Sequence, residues 1–167
     1  MSIRLAREGD LDLVEQITHR TIREIYPRYY PEGAVAFFLH HHREENIKND
    51  LANRRVFLCL DPERRAVGTV TVRGNEICRL FVLPQYQGGG YGSELLEFAE
   101  TEIAGRYDEI ILSASLPAKA IYLKRGYQAL EFHTIKTENN DCLCYDLMGR
   151  QAWAEGRKRL TNPDNPL

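Results

Sequence analysis

The residues best placed to do chemistry lie in the run Leu80-Phe81-Val82-Leu83-Pro84-Gln85-Tyr86-Gln87-Gly88-Gly89-Gly90-Tyr91-Gly92-Ser93. An apolar segment stops at a proline, a glycine-dense loop follows, and an amphipathic segment begins directly after it. A strand that feeds a glycine loop into a helix start aims several backbone N–H groups at one point, and such a point suits a phosphate. Two common phosphate-binding patterns do not fit. A P-loop needs a lysine after its last glycine, and none stands here. The dinucleotide fingerprint Gly-x-Gly-x-x-Gly puts its third glycine at position 93 or 95, where the chain has Ser93 and Leu95.

The elements that must position this loop can be read from hydropathy and breakers. Residues 2–8 read as a strand, and Asp10 as the N-cap of a helix to 25, with Val14, Ile17, Thr21 and Ile25 at helical spacing. Two prolines and a glycine between 26 and 33 break the pattern, and a second helical stretch covers 33–53. Strands at 56–60, 66–72 and 76–83, joined by short turns, read as an antiparallel meander. After the loop a helix runs to 103, with Leu95, Leu96, Ala99 and Ile103 inside and Glu94, Glu97, Glu100 and Glu102 on its wet face. A short buried strand (109–113), a helix (117–124) stopped by Gly126, and a hairpin of 127–137 with 142–148 complete the pattern. This is an α+β arrangement, a mixed and mostly antiparallel sheet of about seven strands flanked by four helices. It forms one domain over 1–148, followed by a tail over 149–167.

The segment Val82-Leu83-Pro84 followed by Gln87-Gly88-Gly89-Gly90-Tyr91-Gly92 resembles the GNAT family of N-acetyltransferases, whose loop reads Gln/Arg-x-x-Gly-x-Gly/Ala after a Val-x-Pro strand end. The element order is also that of the family. A second family signature, Asn-x-x-Ala-x-x-x-Tyr-x-x-x-Gly-Phe, is matched by Ser115, Ala118, Tyr122, Gly126 and Tyr127, with serine where asparagine is usual and tyrosine for the final phenylalanine. The resemblance implies acetyl-CoA as cofactor. Its pyrophosphate would sit on the backbone of Gln87, Gly88, Gly89, Gly90, Tyr91, Gly92 and Ser93, and its pantetheine and acetyl end along Leu80, Phe81 and Val82, with Ser115 and Tyr122 nearby. The Val82 N–H would then act as a one-donor oxyanion hole.

The same resemblance implies transfer of the acetyl group to a primary amine by direct attack in a ternary complex. Tyr122 is the candidate general acid. A phenol near 10 and a thiol near 8.5 make proton transfer to the leaving thiolate uphill by about 2 kcal/mol, which concerted donation can absorb. Glu76 is the candidate base: it lies six residues before Val82 on one strand, hence on the same face. Other relatives carry a glutamate on the fifth strand, at the position of Ile110 here, and many use a water chain. In the family the connection between the first two helices frames the acceptor, which here offers Tyr26, Tyr29 and Tyr30 as flat faces, with Glu24 or Glu32 to pair with an amine. The acceptor is thus a small-molecule or peptide amine. The alternative is a non-enzymatic acyl-CoA-binding sensor on the same fold.

Composition bounds the rest. A formal net charge of −2 supplies no global field for nucleic acid. The first residues lack the apolar core of a signal peptide and no apolar run reaches membrane-spanning length, so a cytoplasmic protein without membrane attachment is expected. Cys59, Cys78, Cys142 and Cys144 read as reduced structural residues. His40, His41 and His42 are consecutive, so on a helix they point about 100° apart and do not converge on a metal. Trp153 in the tail offers a contact surface for a homodimer.

Overall fold

The computed structural model describes residues 1–152. Seven strands form one sheet in the order β1-β2-β3-β4-β5-β7-β6. They are β1 (Ser2–Leu5), β2 (Val56–Leu60), β3 (Ala66–Arg73), β4 (Glu76–Val82), β5 (Glu109–Ser115), β6 (Gln128–Lys136) and β7 (Cys142–Gln151). Every neighbouring pair is antiparallel except β4 and β5. The helices are α1 (Leu11–Ile25), α2 (Glu32–His41), α3 (Glu44–Ala52), α4 (Tyr91–Ala104) and α5 (Leu116–Lys124). One buried cluster fills the space between the sheet and α4 and α5, around Val70, Ile77, Val82, Leu95, Leu96 and Ile103. A second lies under α1, α2 and α3, around Val14, Ile17, Ile22, Ile47, Leu58 and Phe81. Because both faces are covered, the central strands read as apolar runs with little alternation.

The helical stretch expected over 33–53 is present but broken. His42 leaves the helical region and Arg43 is extended (φ −67°, ψ 163°), so α2 and α3 are two pieces of it. Asp10 does not cap α1 with its side chain. Its carboxylate instead accepts a fork from Arg4 at 2.7 and 2.8 Å and the Arg7 N–H at 2.8 Å. At the other end β7 runs past Met148 to Gln151, which pairs with Glu109, so the sheet extends into what the hydropathy pattern reads as tail. Trp153 lies outside the described residues.

The feature that shapes the site is where β4 and β5 separate. They pair only at Glu76↔Ile111 and Ile77↔Leu112. In the β3–β4 ladder Thr71 faces Arg79 and Val72 faces Ile77, so Cys78 is an extra residue in β4. A bulged strand bends and twists more strongly, and beyond this bulge β4 swings away from β5. The bulge also shifts the alternation of faces. Ile77 and Val82, five residues apart, both pack toward α4. Glu76 lies opposite Arg73, whose guanidinium reaches Asp50 on α3. Glu76 therefore faces away from Val82, contrary to the expectation from uninterrupted alternation.

Helix α5 is fixed at its C-terminus by a two-bond cap. The Tyr127 N–H bonds the Tyr122 carbonyl at 3.1 Å and the Gly126 N–H bonds the Leu123 carbonyl at 3.1 Å. Gly126 sits at φ +88°, the left-handed conformation this cap requires. The accompanying apolar contact is the edge-on packing of the Tyr122 and Tyr127 rings, 5.7 Å apart. The Tyr127 hydroxyl then donates to Glu100 Oε1 at 3.1 Å. Glu100 is not on a wet face: it is buried and also holds Arg125 (3.0 Å) and Arg150 (3.2 Å). The chain thus ties the end of α5 to α4. Replacing Gly126 by alanine should cost about 1–2 kcal/mol from the left-handed strain alone. Urea unfolding checks this, and an unchanged midpoint would mean that the cap is not formed.

Candidate active site

The diverging strands open a cavity of about 560 Å³, within the range of small-molecule sites. Its walls come from β4 (Ile77 to Val82), the glycine loop, the start of α4, the end of β5, and one face of α5. Pro117, Ala118, Ile121 and Tyr122 reach it from α5, a spacing that places all four on one side of a helix. From the other face of the sheet come Thr21, Ile25, Tyr26, Phe38 and His42.

The Leu83 N–H bonds the Val67 carbonyl at 2.9 Å. Hydrogen-bonded and non-bonded pairs alternate in an antiparallel ladder, so Val82, opposite Gly68, turns its own N–H and C=O away from β3. These groups, and those of Leu80, face the cleft that β5 has vacated. The Val82 carbonyl is engaged by Gln87 Nε2 at 3.0 Å and lies 3.2 Å from Thr21 Oγ1. Gln87 thereby anchors the glycine loop to the end of β4, and the Val82 N–H is left aimed into the cavity.

In the loop, Gly88 and Gly90 have φ of +80° and +88°, conformations that only glycine adopts cheaply. Gly90 is the N-cap of α4, with no side-chain cap, and the first helical bond runs from Glu94 N to Gly90 O. The N–H groups of Tyr91, Gly92 and Ser93 are therefore free of helical partners. They carry the positive end of the helix dipole toward the cavity mouth. The Tyr91 ring packs edge-on against Tyr86 at 5.9 Å, which steadies the turn.

Tyr122 is 8% exposed, and burial pushes its hydroxyl up to about 12. Among the described residues no hydrogen bond ties that hydroxyl. Ser115 ends β5 and accepts a hydrogen bond from the Tyr26 hydroxyl at 3.2 Å. The three tyrosines of the helix connection take different places. Tyr26 lines the cavity, with burial pushing its hydroxyl well up. Tyr30 is buried outside it, donating to the Cys144 carbonyl at 3.0 Å and accepting the Leu116 N–H at 2.7 Å. Its hydroxyl thus serves the start of α5. Tyr29 is exposed and away from the cavity, as are Glu24, which pairs with Arg20, and Glu32. Glu76 does not line the cavity either.

Residue patterning does not single out the polar wall of the cavity formed by Arg79 and His42. Arg79 is buried in β4, with Nη1 donating to Asp50 Oδ2 (3.2 Å) and Thr71 Oγ1 (2.8 Å) and Nε donating to His42 Nδ1 (3.3 Å). The signal was present as an arginine inside the apolar run Ile77 to Val82. The histidine run diverges: His40 meets Arg43, His41 stacks on Phe37, and His42 turns inward.

The GNAT acetyltransferase domain model matches residues 25–141, which include the bulged strand, the glycine loop and Tyr122. The chain belongs to the GNAT acetyltransferase family. Solved structures agree on the GNAT fold. A GCN5-related N-acetyltransferase from Rhodopseudomonas palustris is 22% identical, with a TM-score of 0.81 over 90% of this chain and 94% of that one. The PaiA N-acetyltransferase of Thermoplasma acidophilum, solved with coenzyme A, is 18% identical, with a TM-score of 0.68 over 90% and 98%. YncA of Salmonella typhimurium, a putative acetyltransferase solved with acetyl-CoA, is 15% identical, with a TM-score of 0.69 over 92% and 95%. No curated protein sequence matches. Among the described residues of this GNAT chain, no helix is long and apolar enough to cross a membrane.

The two glycines of the GNAT loop differ in what they require. A Cβ at Gly92 would meet only Val82 Cγ2, at 3.8 Å, so Gly92→Ala should stabilise the free protein by about 0.5–1 kcal/mol through helix propensity. Gly90→Ala should destabilise it by about 1–2 kcal/mol through left-handed strain. Denaturant unfolding of the two variants should give shifts of opposite sign, and shifts of the same sign would contradict this loop geometry.

Proposed function

We propose that this protein moves the acetyl group of acetyl-CoA to a primary amine by direct attack while both substrates are bound. The observation that carries the reading is the meeting, in one cavity, of the unpartnered N–H groups of α4, the cleft-facing Val82 N–H and the Tyr122 hydroxyl. The residues present suit the donor. Gly88, Gly90, Gly92 and the first N–H groups of α4 would hold the pyrophosphate, with room left by the missing side chains. The main chain of Leu80 to Val82 would hold the amide-bearing arm, as an added strand edge does. When bound, acetyl-CoA supplies the activated acyl group and a thiol leaving group.

The chain's own groups then have separate tasks. The Val82 N–H is fixed by the β3–β4 ladder and donates toward the oxygen on which negative charge develops. Tyr122 supplies a proton to the departing sulfur. Burial widens the gap between its hydroxyl, at about 12, and a thiol near 8.5 to roughly 5 kcal/mol. Donation therefore accompanies the rise of charge on sulfur and does not precede it. The same burial keeps Tyr122 protonated across the working pH range. Among the described residues, no aspartate or glutamate lines the cavity, so the ammonium proton leaves through water and not through Glu76.

Tyr122→Phe keeps the ring packing on Tyr127 and removes only a hydroxyl without a structural partner. Thiol release in the presence of an amine should fall about 100-fold, with acetyl-CoA affinity unchanged. An equally active variant would remove Tyr122 from the mechanism. Glu76→Gln should stay within about threefold of the parent, and a loss comparable to a missing general base would restore Glu76 to that role. The pH profile of kcat/KM should rise with the fraction of neutral amine and show no falling limb up to about pH 10, because the acid titrates near 12. A fall between pH 8 and 10 would contradict the assignment.

A further inference from the structure

One wall of the cavity carries a buried arginine whose carboxylate partner is shared with a second arginine. Arg73 holds Asp50 with two bonds of 2.8 Å, and Arg79 adds a third contact to the same carboxylate at 3.2 Å. Two guanidiniums thus share this carboxylate, while Glu76, opposite Arg73 and outside the cavity lining, acts on Arg73. His42, the next neighbour, is held well below the usual histidine range by burial and by Arg79. It is therefore neutral and brings no negative charge. Its Nδ1 accepts the Arg79 Nε–H, so its proton resides on Nε2, a further donor. Arg79 is 3% exposed and lines the cavity. Among the described lining residues it is the one permanently charged side chain.

The described lining presents Arg79 and no carboxylate, so an ammonium seated against it would meet a repulsion that Asp50, behind Arg79 and shared with Arg73, offsets only in part. An anion would complete the pairing. Arg79 precedes Val82 by three residues, about 10 Å along the strand. An arginine side chain and a small bifunctional molecule together span that length. Resting on the acetyl-transfer reading above, we infer that the acceptor is a small amine that also carries an anionic group, a carboxylate or a phosphorus oxyanion. Arg79 holds that group while the amine faces the Val82 end of the cleft. Polyamines and cationic aminoglycosides are disfavoured by the same charge.

The test follows thiol release by the intact protein with acetyl-CoA and three matched acceptor sets: amino acids, their carboxamides, and the corresponding decarboxylated amines. Aminoalkylphosphonates form a fourth arm that separates the two oxyanions. An acid of one set should exceed its amide and its amine by roughly 10- to 100-fold in kcat/KM, the worth of a charge-assisted hydrogen bond, mostly through KM. Arg79→Gln leaves Asp50 paired with Arg73 and should level acid and amide, whereas Arg79→Lys should retain part of the preference. The comparison on the unaltered protein stands even if a variant does not fold. Amides or plain amines turned over as well as the acids would overturn this inference and leave acetyl transfer intact. Absence of thiol release in every arm would overturn both.

Discussion

The structure depends on the point at which two parallel strands stop being a sheet. One extra residue in β4, Cys78, ends the pairing with β5 after Ile77↔Leu112. A strand with an empty side would ordinarily be a liability, because its N–H and C=O groups lose their partners. Here the vacated side becomes the wall of the cavity. The Val82 carbonyl is satisfied by Gln87, and the N–H groups of Leu80 and Val82 remain oriented into the cleft by their ladder with β3. The fold holds donors in place without engaging them. Such preorganisation is the property that charge stabilisation in a reaction requires.

The other groups are brought to this cleft by local rules. The glycine loop turns the chain directly from the end of β4 into α4, so the helix N-terminus opens beside the strand edge. Helix α5 starts at Leu116, is stapled by the Tyr30 hydroxyl at its first N–H, and is locked at its end by the Gly126 cap. The cap contact is the Tyr122–Tyr127 ring pair, so the device that ends the helix also orients the candidate acid. Behind it, Glu100 gathers Tyr127, Arg125 and Arg150. On the opposite face, Asp50, Arg73, Arg79 and His42 form a polar cluster beneath α2 and α3. The break at His42–Arg43, which divides one expected helix into two, turns the His42 ring inward to meet Arg79.

Much of this was legible in the residues. Gly88 to Gly92, the spacing Ala118–Tyr122–Gly126 and the succession of strands pointed to the GNAT fold, and the family match and the structural neighbours agree with it. What escaped depended on long-range pairing. A β-bulge has no local signature in Glu-Ile-Cys-Arg-Leu-Phe-Val, so uninterrupted alternation places Glu76 on the wrong face. Glu100 sat on a periodic glutamate face, yet α4 turns it toward two arginines that are distant in sequence. Tyr26 and Tyr30 are four residues apart and read alike. One faces the cavity and the other is consumed by the start of α5 and by the Cys144 carbonyl on β7, partners more than 80 residues away in sequence.

The central claim is that the parted strands and the glycine loop together form a site for acetyl-CoA. Thermal unfolding of the intact protein with acetyl-CoA, and separately with ATP, tests it most directly. A ligand that binds only the folded state at 100 times its Kd adds about 2.7 kcal/mol. Acetyl-CoA should therefore raise Tm by several degrees in a concentration-dependent way, and ATP should not match it. An unchanged Tm with acetyl-CoA at millimolar concentration, or an equal rise with ATP, would contradict the account.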